Sequence, residues 1–172
     1  MVNLSEVFNL STKELVLSLP IGMKCFEGSL GSFDVSFASP LEIRATSIEK
    51  GKARVTGKAG MSFEATCDRC LKPAEVKLSI DFEREVCSPD FDFSEEEELR
   101  DFMEGFQLDV DSLLYDEITI NWPVKILCRE DCKGLCPVCG HDLNEGDCGC
   151  DTFVPDPRMA ALKDIFETTK EV

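Results

Sequence analysis

Histidine is almost missing from this chain, with His141 the single one among 172 residues. That scarcity removes the usual general base, and neither a Ser-His-Asp order nor an H-E-x-x-H string can be assembled. No glycine-rich phosphate loop is present either. Carboxylate pairs abound, but in an exposed acidic run they are solvated charges, not a tuned acid and base. The chain therefore reads as a non-enzyme. A ribonuclease using Asp or Glu with a metal ion is the alternative, and no residue marks out its site. Long apolar runs are lacking too, since none approaches the roughly 20 residues that cross a membrane. The opening MVNLSEVFNLSTKELV shows no basic stretch leading into an apolar core. The expectation is a cytoplasmic protein with no membrane partner and with reduced thiols.

Basic residues are the next shortage. Eighteen Lys and Arg face 34 Asp and Glu, a net charge of −16. The imbalance is local, because residues 81–117 carry fifteen acidic and two basic side chains while residues 1–80 are nearly balanced. Nucleic-acid binding needs cations that displace condensed counterions, so a body this acidic repels RNA at long range. Screening confines that repulsion to about 8 Å at physiological salt. A local basic patch of Arg44, Lys50, Lys52, Arg54 and Lys58 on one strand face is the candidate RNA contact. The opposing candidate is the run Glu95, Glu96, Glu97 and Glu98, interleaved with Phe91, Phe93, Phe102 and Phe106, as a lure for a basic partner. A solubilising loop whose phenylalanines fold onto the core is the plainer reading of the same run.

Cysteine is abundant. Six of ten thiols, Cys128, Cys132, Cys136, Cys139, Cys148 and Cys150, fall within 23 residues. A disulfide framework needs an oxidising compartment, a redox C-x-x-C needs a βαβ unit, and the spacing does not match ferredoxin-type iron–sulfur runs. Structural zinc is the reading that remains. Cys136-Pro137-Val138-Cys139-Gly140 reads as a knuckle in which two thiolates grip an ion and glycine permits the tight turn. Cys136, Cys139, Cys148 and Cys150 are expected to hold one zinc. Cys67 and Cys70, in Cys67-Asp68-Arg69-Cys70, are expected to share a second with Cys128 and Cys132, leaving Cys25 and Cys87 as ordinary buried residues. A competing arrangement has one zinc, with Cys128 or Cys132 joining Cys136 and Cys139, and Cys67 and Cys70 merely buried. Spacing does not separate the two. His141 reads as a turn residue or spare ligand.

Period-two alternation dominates the first half. Leu15, Leu17 and Leu19 suggest a strand ending at Pro20, and Leu41, Ile43 and Ala45 another before a turn at 49–52. Val55, Gly57 and Ala59 follow, with a second turn expected at Ala59-Gly60 before Met61, Phe63, Ala65 and Cys67. Val76, Leu78, Ile80 and Phe82 complete the set past Pro73. Asp111 reads as the N-cap of a helix burying Leu113, Leu114 and Ile118 and ending before Pro123. Ser94 could cap a short helix in the acidic run. Asp156-Pro157 opens a last helix with Met159, Leu162, Ile165 and Phe166 inward. The expected fold is α+β: an antiparallel β-meander or partly closed barrel over 1–86, an acidic insertion over 87–108, and over 109–172 a helix, the cysteine-rich zinc segment and a C-terminal helix, packed with the β part as one domain.

The strings CDRCL, DEITINWPVKILC, LCREDCKGLCPVCGHDLN and DPRMAALKDI together resemble the YceD family, over roughly residues 40–167. Its members are described as large ribosomal RNA subunit accumulation proteins. The resemblance implies a part in synthesis, processing or stability of large-subunit (23S) ribosomal RNA in bacteria, with ribosomal RNA or a pre-ribosomal particle as partner. Members without the later cysteine cluster keep the C-x-R-C motif, which places Cys67 and Cys70 nearer the shared role. The family is commonly encoded beside a large-subunit ribosomal protein, which suggests a shared pathway. Two functions follow: an RNA-associated factor, or an acidic chaperone for a basic ribosomal protein.

Overall fold

Alternating apolar and polar side chains make the strands of a sheet with one buried face. In a computed structural model, which describes residues 1–10, 14–28, 31–91 and 101–151, Ile43 and Ala45 of one strand pair with Gly57 and Val55 of the next, and Leu41, Ile43, Ala45, Ala53, Val55 and Phe63 are all buried. The elements in chain order are β1 (Val2–Asn3), α1 (Ser5–Phe8), β2 (Glu14–Leu19), β3 (Cys25–Gly28), β4 (Gly31–Ala38), β5 (Leu41–Glu49), β6 (Lys52–Thr66), β7 (Pro73–Cys87), β8 (Met103–Glu104), β9 (Gln107–Leu108) and α2 (Val110–Asn121). Two compact units divide them. Among the described residues, one lies within 1–67 and 72–128, the other within 68–71 and 129–151.

The sheet is antiparallel and open, not closed into a barrel. Its six strands run β2-β5-β6-β4-β3, with β7 along the other side of β6. It departs from a simple meander at β4 and β5, which do not pair with each other but lie in line along β6. The Ser39–Pro40 corner joins them, fixed by the Ser39 N–H to the Gly60 carbonyl at 2.8 Å and by the Gly60 N–H to Ser39 Oγ at 2.9 Å. This corner corrects the expected turn at Ala59-Gly60. The strand runs straight through those residues because β7 pairs with β6 without interruption from Lys52 to Thr66. What changes at Gly60 is the neighbour, not the direction. Gly57 has a separate reason: the ring of its cross-strand partner Phe82 lies over it, and a Cβ there would sit 2.2 Å from the ring.

Helix α2 starts two residues earlier than the sequence suggests. Asp109, not Asp111, is its N-cap: its carboxylate accepts the N–H groups of Asp111 (3.1 Å) and Ser112 (3.2 Å) and the Ser112 hydroxyl (2.6 Å). These bonds, the Ser112 hydroxyl foremost, hold the Asp109 carboxyl below the ordinary range. The helix buries Leu113, Leu114 and Ile118 as the pattern implies and ends at Asn121. Trp122 follows, with ring centroids 4.5 Å from Phe33, 5.2 Å from Phe63 and 5.3 Å from Phe26. Such aromatic packing contributes about 0.5–1.5 kcal/mol per pair beyond burial. Glu117 is buried on the same helix and ion-paired with Arg84 of β7. Burial pushes its carboxyl up, and the guanidinium pulls the other way. The acidic run Glu95–Glu98 and the helix expected from Asp156 lie outside the described residues.

Candidate metal centres

A six-residue excursion at the tip of the β6–β7 hairpin carries the first C-x-x-C. The Cys67 N–H donates to the Lys72 carbonyl at 2.9 Å, closing the loop where the strands part. Between them Leu71, directly after Cys70, sits at φ +60°, a left-handed conformation uncommon for a side chain of that size. Both cysteines of the motif are buried. The Sγ atoms of Cys67, Cys70, Cys128 and Cys132 all lie within 4.8 Å of one another, and three of these residues are buried while Cys128 is exposed. Thiolates about 2.3 Å from one tetrahedral ion stand about 3.8 Å apart, so a small contraction suffices.

The second group is built on one short hairpin. Leu135 bridges Asp142, the Cys136 N–H donates to the His141 carbonyl at 2.8 Å, and the Leu143 N–H donates to the Gly134 carbonyl at 2.9 Å. The turn inside it is the Cys136–Cys139 knuckle, closed by the Gly140 N–H on the Cys136 carbonyl at 2.8 Å, with Gly140 at φ +74°. Sγ atoms of Cys136, Cys139, Cys148 and Cys150 again fall within 4.8 Å. The N–H groups of Cys139 and Val138 point at the Cys136 sulfur and lower its thiol to about 6. Cys150 is pushed up to about 12, because Cys139 and then Cys148 use it as a donor and burial disfavours its charge. One sulfur is prepared as an anion while another is held protonated by its neighbours. A soft divalent cation at the centre of the four would relieve that conflict. Both sets are all-thiol and four-fold, so the donor chemistry fits a closed metal site.

A comparison of this chain with protein-family models matches residues 55–166 to the family described as large ribosomal RNA subunit accumulation protein YceD. That span covers most of β6, the hairpin knuckle, α2 and every cysteine of both groups. The chain belongs to the YceD family. Similar proteins include uncharacterized proteins of Mycobacterium tuberculosis, in two strains, and of Mycobacterium bovis, each 29% identical over 129 residues. The match takes in 73% of this chain but only 61% of each relative's length. No solved structure matches it.

The remaining candidate residues of this YceD-family chain fall elsewhere. Arg44 is ion-paired with Glu14, Lys52 with Glu85 at 2.8 Å, Arg54 with Glu83 at 3.2 Å and Glu85 at 3.1 Å, and Lys58 with Asp81 at 2.8 Å. Four of the five cations of the strand face thus stand beside carboxylates of neighbouring strands. Lys50 lies in the β5–β6 turn, lining a small pocket with Phe8, Asp90 and Phe91. His141 supplies its carbonyl to the knuckle, and Cys87 is buried while Cys25 is half-buried with its sulfur 3.2 Å from Ser32 Oγ. Sequence reasoning passed over Leu71, since leucine carries no left-handed signal, and Asn144, whose role depends on contacts eleven to fifteen residues away. No helix among the described residues is long and apolar enough to cross a membrane.

Proposed function

We propose that this protein is a cytoplasmic, non-enzymatic factor in bacterial ribosome biogenesis that supports synthesis, processing or stability of large-subunit (23S) ribosomal RNA. The observation that carries the reading is the family match over residues 55–166, which takes in both cysteine groups. Each group holds one zinc ion. Four thiolates suit the softness and tetrahedral preference of zinc, and a set closed by four protein ligands leaves no position for a substrate or a reactive water. The metals in this reading build the fold.

The ion pairs on the strand face favour a protein-mediated part in that pathway over direct grip on RNA. Arg44, Lys52, Arg54 and Lys58 are already neutralised by neighbours, so releasing them for phosphates would leave carboxylates uncompensated beside an anionic ligand. An acidic body speeds capture of a basic ribosomal protein instead, with Glu95 to Glu98 as the lure. Depletion of the protein should lower 23S relative to 16S ribosomal RNA, and association with large-subunit proteins should survive ribonuclease. Unchanged 23S levels would remove the biogenesis role. Complete loss of association after ribonuclease would return the strand face to first place.

A further inference from the structure

Asn144 belongs to the loop between Cys139 and Cys148, yet its side chain reaches a sulfur of the other group. Its Oδ1 accepts from Arg129 Nη2 at 2.8 Å and from the Lys133 N–H at 2.8 Å. Its Nδ2 donates to Asp142 Oδ1 at 2.6 Å and to Cys132 Sγ at 3.5 Å. The partners settle which end is which: two donors face the oxygen, two acceptors face the nitrogen. The same strand of chain is held from below, where Arg69 Nη1 donates to the Cys132 carbonyl at 2.6 Å and the Leu135 N–H donates to the Arg69 carbonyl at 3.1 Å. Cys132 and Cys136 are four residues apart, so one short segment supplies a sulfur to each group.

We propose that Asn144 is a positioning residue that couples the two metal centres, its side-chain N–H stabilising and orienting the Cys132 thiolate only when the loop of the second group is in place. The inference rests on the zinc reading above. An amide donor to a metal-bound thiolate offsets part of its charge and fixes its direction, and such outer partners are worth about 10–100-fold in metal affinity. Loading of the second group therefore raises affinity at the first, and by linkage the reverse holds as well.

The test uses the full chain with Zn²⁺, and with Co²⁺ as a spectroscopic probe. The ion that Cys67→Ser loses identifies the first group's affinity and its sulfur-to-cobalt charge-transfer band. Asn144→Asp keeps the acceptor for Arg129 and Lys133 but sets an oxygen against the sulfur. It should weaken that ion by about 10–100-fold and shift its band, and by linkage weaken the second ion equally when the first is loaded, while the second ion's own band stays in place. Asn144→Ala, which loses both ends, should weaken the first ion as well. If Asn144→Asp binds both ions as the native chain does, Asn144 only clamps the loop through its oxygen and the inference is overturned. A native chain that takes up no metal sinks the zinc reading and the inference with it. Two ions in the native chain with an unaltered first site in Asn144→Asp sinks the inference alone.

Discussion

Leu71 and Gly140 hold the same place in two C-x-x-C turns, each directly after the second cysteine and each with positive φ, +60° and +74°. The glycine adopts that conformation without steric cost, whereas the leucine pays roughly 1–2 kcal/mol for it. The groups differ in setting as well. Three of four cysteines in the first are buried; in the second only Cys136 is. The comparison separates two ways of making one turn. The second loop is locally encoded, with glycines at its bends. The first is imposed on its residues by the strands that end there and by the thiols that must converge.

If that contrast is right, losing a ligand should cost far more at the first group. Native protein should carry two zinc ions, and Cys67→Ser and Cys139→Ser should each carry one. Apparent binding energies of structural zinc run to about 10–16 kcal/mol, against roughly 5–15 for the stability of a whole domain. Cys67 is fully buried, so Cys67→Ser adds a buried hydroxyl to the missing ion, and global unfolding should move sharply to lower denaturant. Cys139 is exposed, and its replacement should loosen the short hairpin and move the β-sheet's unfolding midpoint less than Cys67→Ser does. Equal shifts from the two variants would erase the distinction.

Acid probes the second group from within. In the metal-free chain the Cys136 thiol titrates near 6, held down by the N–H groups of Cys139 and Val138. A depressed pKa contributes stability that is present above the ordinary thiol range and is lost as pH falls toward 6. The raised Cys150 works oppositely, contributing below the ordinary thiol range and fading as pH climbs toward 12. Thiolate absorbance of the metal-free protein should therefore show an early step near pH 6 that Cys136→Ser removes. An early step that survives the substitution would mean that another sulfur is the prepared anion.

Much of this was legible in the sequence because it is local. Alternation at Leu41, Ile43 and Ala45 marked a strand, and spacing within Cys136–Cys139 marked a knuckle. What escaped depends on distant partners. Ala59-Gly60 has the composition of a turn, yet β7 pairs across it and Ser39 bonds to it from 21 residues away. Arg44, Arg54 and Lys58 form a basic stripe when β5 and β6 are read alone. The carboxylates opposite them come from β2 and β7, 23 to 31 residues distant. Asp109 and Asp111 are equally good capping residues by type, and only the first free N–H groups of the helix decide between them. Asn144 reads as one more loop asparagine until Cys132 is brought to it.

The smallest effect tests the opening comparison most directly. A Cβ on Gly140 would meet nothing within 4 Å, so Gly140→Ala probes backbone strain without a clash and should destabilise the metal-bound protein by about 1 kcal/mol. Leu71→Gly should do the reverse. It removes the left-handed strain and a side chain that is 66% exposed, so little packing is lost. Glycine gives back part of the gain through the greater freedom of the unfolded chain, leaving a net stabilisation of about 0.5 kcal/mol. Denaturant titration at saturating zinc reads both. A loss of 1 kcal/mol or more in Leu71→Gly would mean that the leucine side chain holds the turn through contacts of its own, and the two knuckles would then differ in what fixes them, not only in what they cost.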